Sequence, residues 1–515
     1  MNINPLGRWL VLILVLGLVL GPLAAFFLGG ADIRSLAAAP YVRTLLLAGL
    51  AALGALVLGL PAGWALAGSG QGARWLLAGS LAVLLVPPYL AASVWLILAG
   101  RVGLVGLSDK ALSLVPEATR GFLGGGNLPG AAAVLAGSFW PCVALAAAGA
   151  LAAAGREERE AALLARGRWG RFAGVELPAA LPAALAGTLV AFALAATEVG
   201  ATDLFRVDAA TRDVLKGFES SHNYAMAAGR SLPLLAMGLA FGAALSAILA
   251  RRVFPQMASA RLAPAPAGRA STAYAASLIA VTLGLVLAGL AFNAGGLATI
   301  ADAARDHGAA VTRSLALAVA GAAGAVAVGG AAVWALSRRR SGPAPALVLG
   351  ALALTLLLPG TLWGLGVLRL REWCGGAFAW LFDSPLVLVW SGAARGAFAA
   401  AVVLEAGRRS TSPELFEAAR LAGLAPARRL LLAAGLLGGH VLAALLLALG
   451  LALGELGAAV QIAPPGWDTL PVRVFNEMHN YHGGAVAALA LLVAAAAALL
   501  GALAVLLWHK DDARC

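Results

Sequence analysis

Two glutamates, Glu198 in TEVGAT and Glu455 in GELGAA, each close a long run of Ala and Leu, and each is followed two residues later by a glycine, Gly200 or Gly457. An ionisable side chain at membrane depth is costly, so it marks a path for ions or substrates. Facing one another, the two form an acidic gate that attracts cations; the plainer reading has each bonded to neighbouring backbone at the outer interface. A second doublet is His222, Asn223, Tyr224 and His479, Asn480, Tyr481, two copies of HNY that can form an outer rim for a partner, a transient metal contact, or interfacial anchors. A third is EAALLARG at 160–167 and EAARLAG at 417–423, charged islands in an oily chain. The sequence also excludes chemistry. Lys110, Lys216 and Lys510 are its only lysines and none sits in a GxxxxGK[ST] loop, so no nucleotide motor is expected in the chain. The three cysteines are scattered with no CxxC, so no disulfide framework or metal site is expected, and no catalytic constellation lies in the apolar runs.

These residues need elements to hold them. Over 515 residues the mean hydropathy is +0.90, and 12% of residues are charged, against roughly a quarter in soluble domains. Apolar runs near 8–28, 44–68, 75–99, 130–153, 179–201, 231–250, 273–293, 314–336, 345–368, 386–405, 433–459 and 484–508 predict an all-α integral membrane protein of twelve transmembrane helices. With the N-terminus inside, 21 Lys and Arg fall on the inner side and 14 outside, with Arg395 within a span. Both termini are therefore expected in the cytoplasm. The formal charge of +12 comes from short basic runs between spans, such as 338–340, which argues for topology anchors and against a nucleic-acid partner. Arg395 and Glu405 are too far apart on one helix to pair, so Arg395 is expected to find a partner elsewhere or to snorkel. His440 reads as a helix-packing residue.

Sliding the chain by 257 residues pairs Glu160 with Glu417, Arg171 with Arg428, Glu198 with Glu455 and HNY with HNY; an offset of 270 pairs Arg43 with Arg313 and Trp64 with Trp334. The chain reads as two parallel six-helix repeats, 1–255 and 273–515, joined by a cytoplasmic linker at 256–272. Pro87 and Pro88 in the third span, and Pro359 with Gly360 in the ninth, are expected to break helices at matching places.

Both islands lie between the fourth and fifth spans of their repeat. Ser412, Pro413 and Glu414 predict the start of a short helix, and Gly423 its end. The Glu-Ala-Ala, three residues, Gly spacing resembles the EAA loop of binding-protein-dependent ABC transporter permeases. Glu417, Ala418, Ala419 and Gly423 match it fully. Glu160, Ala161 and Ala162 match it in the first copy, with Arg166 at the glycine position and Gly167 one residue later, and with the family's downstream Leu-Pro kept as Leu177 and Pro178. The fused arrangement is similar to iron(III) and thiamine transport permeases. The resemblance implies a bacterial inner-membrane subunit in which these loops dock two ATP-binding cassette subunits, with ATP and Mg on those partners and no cofactor or enzymatic activity in this chain. It also implies a path for a small substrate, iron(III) first among several candidates, delivered by an external binding protein. The alternative is a twelve-span secondary transporter driven by an ion gradient through Glu198, Glu455 or His440.

Overall fold

The computed structural model describes residues 5–68, 71–99, 127–255, 268–337, 344–480 and 483–512, and every regular element among them is helical. Among the described residues nine helices are long and apolar enough to cross a bilayer, and the number rises to eleven if each of two sharply bent pairs is one span. This makes the chain a multi-pass membrane protein, its backbone polar groups satisfied within helices as hydrocarbon surroundings require.

In the first part of the chain run α1 (Pro5–Leu28), α2 (Ala38–Leu66), α3 (Gln71–Leu85), α4 (Pro88–Ala99), α5 (Leu128–Ala153), α6 (Arg156–Arg171), α7 (Leu177–Thr197), α8 (Ala210–Ser221) and α9 (Tyr224–Ile248). After the linker come α10 (Arg269–Ala294) and α11 (Gly308–Leu336). They are followed by α12 (Ala344–Leu357), α13 (Gly360–Cys374), α14 (Leu386–Ser410), α15 (Pro413–Leu421), α16 (Pro426–Leu436), α17 (Gly438–Leu453), α18 (Leu470–Asn480) and α19 (Gly484–Asp512). Of the expected linker, 256–267 lies outside the described residues, and Arg269 to Thr272 already belong to α10, which Gly268 starts in extended conformation.

The eleventh expected span, 433–459, is not one helix. Gly435, Gly438 and Gly439 weaken it, α16 gives way at Leu437, and α17 is only 16 residues long. His440, near its start, packs its ring on Gly407, where an added Cβ would lie 2.4 Å from the imidazole. The third and ninth spans are broken as the prolines require: α3 and α4 meet at 84°, α12 and α13 at 98°. Corresponding hydrogen bonds restart both helices, Leu90 N–H to Pro87 O and Leu362 N–H to Pro359 O, each 3.0 Å.

Small residues set the closest helix pairs. A Cβ at Gly59 on α2 would meet Trp140 O on α5 at 2.4 Å, and one at Gly329 on α11 would meet Ala397 O on α14 at 2.8 Å. Close approach through small residues is how helices pack where lipid removes the hydrophobic drive to associate.

The first helix of each part lies against the other part. Pro22 removes the N–H that would cap Leu18 O within α1, and Trp390 Nε1 on α14 donates to that carbonyl at 2.9 Å. Trp363 Nε1 on α13 donates to Val19 O at 3.2 Å, and Gly366 lies against the Pro22 carbonyl. In the other direction α10 lies on α2 and α5: Tyr274 Oη donates to Leu58 O at 3.0 Å, and Trp140 Nε1 to Thr282 Oγ1 at 3.4 Å.

Candidate functional site

The two helix breaks and the two Glu-x-Gly turns meet around one cavity of about 130 Å³. Its wall includes Pro87, Pro88 and Tyr89 from the first break, Gly360 from the second, Glu198 to Gly200, and Glu455 to Gly457. Each turn is built alike. Glu198 Oε1 accepts from Ala201 N–H at 3.2 Å, and Glu455 Oε1 from Ala458 N–H at 2.9 Å. The glycines permit close approach: a Cβ at Gly200 would sit 2.8 Å from Tyr89 Cβ, and one at Gly457 would sit 3.2 Å from Thr361 N. Thus the four expected path residues come together, and each carboxylate also makes the local backbone bond of the plainer reading.

The two sides differ in charge. Arg395, on α14, donates through Nε to Glu455 Oε2 at 2.5 Å and through its Nη1 to Thr355 O at 2.8 Å and Leu358 O at 3.4 Å. The partner is on another element, as expected, while Glu405 binds Arg408 at 2.7 Å and Arg409 at 2.6 Å. Thr355 O is available because the residue four along is Pro359, which has no N–H. In α5, Ser138 stands 257 residues before Arg395 and spends its hydroxyl on Val134 O of its own helix, at 3.0 Å. Among the described residues Glu198 makes no ion pair. At the expected acidic gate, one carboxylate is therefore paired with a cation and the other, among the described residues, is not, because of the repeat-related helices α5 and α14 only α14 carries an arginine at this level.

Tyr89 and Thr361 escaped the sequence reading. Both follow a break by one or two residues, both are 1% exposed, and among the described residues neither hydroxyl has a hydrogen-bond partner. The available signal was a hydroxyl at the same step after each proline: Pro87-Pro88-Tyr89 and Pro359-Gly360-Thr361.

The charged islands form a second pair of features. Glu160, Ala161 and Arg166 are exposed on α6, with Ala162 half-buried; Glu417 and Ala418 are exposed on α15, with Ala419 buried. Gly167 has φ +67 and Gly423 has φ +68, with open space around the Cβ that either lacks. Arg166 therefore does not occupy the turn position of Gly423. Gly167 does, one residue later than the repeat diagonal predicts. Four residues after each first glutamate stands a leucine that the sequence reading passed over, Leu164 at 88% exposure and Leu421 at 89%. Their shared offset of 257 was the signal. Beside the first loop, Glu176 is buried, bonded to Trp64 Nε1 at 2.9 Å and Arg171 Nε at 3.0 Å.

The first HNY builds a turn. His222 ends α8 with a left-handed φ of 51, Asn223 Oδ1 caps α9 by accepting from Met226 N–H at 3.1 Å, and the Tyr224 ring lies under the Arg369 guanidinium at 5.0 Å. In the second copy His479 and Asn480 lie in α18, and Tyr481 lies outside the described residues. No cluster of three His, Cys, Asp or Glu suited to a metal occurs among the described residues. Comparison with known proteins finds no matching family model, curated protein or solved structure.

Proposed function

We propose that this chain is the permease subunit of an ATP-driven importer of the binding-protein-dependent ABC type: twelve spans in two parallel six-helix repeats, both termini cytoplasmic in a bacterial inner membrane. The carrying observation is the pair of loops. At 160–167 and 417–423 a short helix bears Glu-Ala-Ala, an almost fully exposed leucine and a left-handed glycine. Each leucine stands with another exposed apolar side chain on its helix, Trp169 at 81% beside Leu164 and Leu415 at 48% beside Leu421, and such a patch suits a protein surface that covers it. Two such handles, related by the offset of 257 that also relates Glu198 to Glu455, suit two copies of one ATPase subunit. The matching Gly59 and Gly329 contacts, the matching breaks and the matching Glu-x-Gly turns support the repeat. The cavity between them is the translocation path. Its cargo is a small cation released by an external binding protein, with iron(III) the reading that the resemblance favours; ATP and Mg stay on the partner subunits.

The test is affinity purification in mild detergent, with Leu164→Asp and Leu421→Asp variants. An ATPase subunit is expected to copurify with the wild-type chain and to be lost from the double variant. Its absence from the wild type, together with uptake that collapses with the ion gradient but survives ATP depletion, overturns the proposal in favour of a secondary transporter.

A further inference from the structure

In the second half of the cavity a cation bridges a carboxylate and a carbonyl that proline has stripped of its helical donor. Arg395 holds Glu455 and Thr355 O together. The first half has the same parts without that cation. Among the described residues the Glu198 carboxylate has no ion-pair partner and bonds only to the Ala201 N–H. Val83 and Leu84 precede Pro87 and Pro88 by four residues, so neither carbonyl has an i+4 N–H to accept from. Leu84 and Tyr89 line the cavity with Glu198, and the Tyr89 hydroxyl is buried without a hydrogen-bond partner among the described residues.

We infer that a small cation occupies, in the first half, the place that the Arg395 guanidinium takes in the second, held by the Glu198 carboxylate and the Tyr89 hydroxyl. The donors are all oxygen, which suits a hard metal ion. The Arg395 pair then has a purpose beyond its half. It keeps Glu455 from closing on the same ion, so the site carries one free carboxylate and binds weakly enough to release what it admits, as a path must. The inference rests on the permease reading for its meaning as a way-station, but the cation binds or fails to bind without any motor.

The experiment is a terbium(III) titration of the full chain in lipid nanodiscs, read by tryptophan- and tyrosine-sensitised emission. A saturable component is expected in the wild type. It should weaken roughly tenfold or more in Glu198→Gln, weaken less in Tyr89→Phe, and persist in the paired variant Arg395→Gln, Glu455→Gln, which removes both members of that ion pair together and so strands neither of them. Displacement by Na⁺ or by Fe(III)-citrate separates a coupling ion from the cargo, and either fits the site. Titrations identical in the wild type, Glu198→Gln and Tyr89→Phe overturn the inference, as does loss confined to the paired variant. If a copurifying ATPase is present when terbium binding fails, the way-station falls and the permease reading stands.

Discussion

Replacing Gly167 or Gly423 by alanine isolates a backbone cost at the two handles. Both glycines hold left-handed φ values, +67 and +68, and a Cβ would meet nothing within 4 Å at either. The penalty is therefore conformational and not a clash, about 1–2 kcal/mol for an L-residue held at left-handed φ, and no less at Gly167, whose ψ of −168 only glycine enters readily. At 1.4 kcal/mol per factor of ten, this reduces the docking-competent loop roughly 5- to 30-fold if the alternative loop conformation is of similar energy. The assay is the amount of ATPase subunit retained on immobilised chain across a series of subunit concentrations. Gly167→Ala and Gly423→Ala should each shift the half-saturation point by about that factor. Gly423→Asn should recover most of it, because asparagine tolerates the left-handed region. Arg166→Gly should change nothing, since the turn already has its glycine at 167. If Arg166→Gly improves retention while Gly167→Ala is silent, the assignment of the left-handed position is wrong and the reasoning fails with it.

A Cβ at Gly366 would sit 2.1 Å from the Pro22 carbonyl oxygen, so Gly366→Val should push α1 from α13 and cost about 1–3 kcal/mol; a cysteine pair across the α1–α13 contact should cross-link less, and unchanged cross-linking and melting would contradict the packing. His222 caps α8 at φ 51, so His222→Gly should stabilise the chain by up to about 1 kcal/mol and leave uptake unaltered. A fall in uptake at unchanged stability would instead make the imidazole part of a recognition rim. Glu176→Gln removes the charge that Arg171 pairs with beneath the first loop and should cost about 3 kcal/mol, seen as a lower melting temperature in nanodiscs.

Hydropathy made most of the spans legible because bilayer thickness imposes a length on them, and proline made the two breaks legible because a missing N–H is a property of the residue itself. The eleventh span misled. Its composition is apolar throughout, but Gly435 and Gly438 let the helix end at Leu437, and hydropathy does not register helix propensity. The first handle was placed one residue early because a sequence diagonal aligns residues, whereas the turn selects φ, and Gly167 can adopt the required value. Arg395 could be shown from helix pitch not to reach Glu405, but choosing Glu455, sixty residues away, needs the fold. The matching step of Tyr89 and Thr361 after each proline was legible, but their lack of hydrogen-bond partners among the described residues is a property that only the packed structure reveals.

The exchange of first helices has a consequence for biogenesis. The main anchors of α1, Trp363 and Trp390, lie more than 340 residues after the carbonyls they hold, so during synthesis this helix must wait in the lipid until most of the protein has been made. It can do so because it is the most apolar of the long helices. Its counterpart α10 faces no such delay, since its docking surface on α2 and α5 is already in the membrane when it emerges. The order of assembly is thus written into the chain: the first half is completed by the beginning of the second, and α1, made before the helices that hold it, is among the last to find its place.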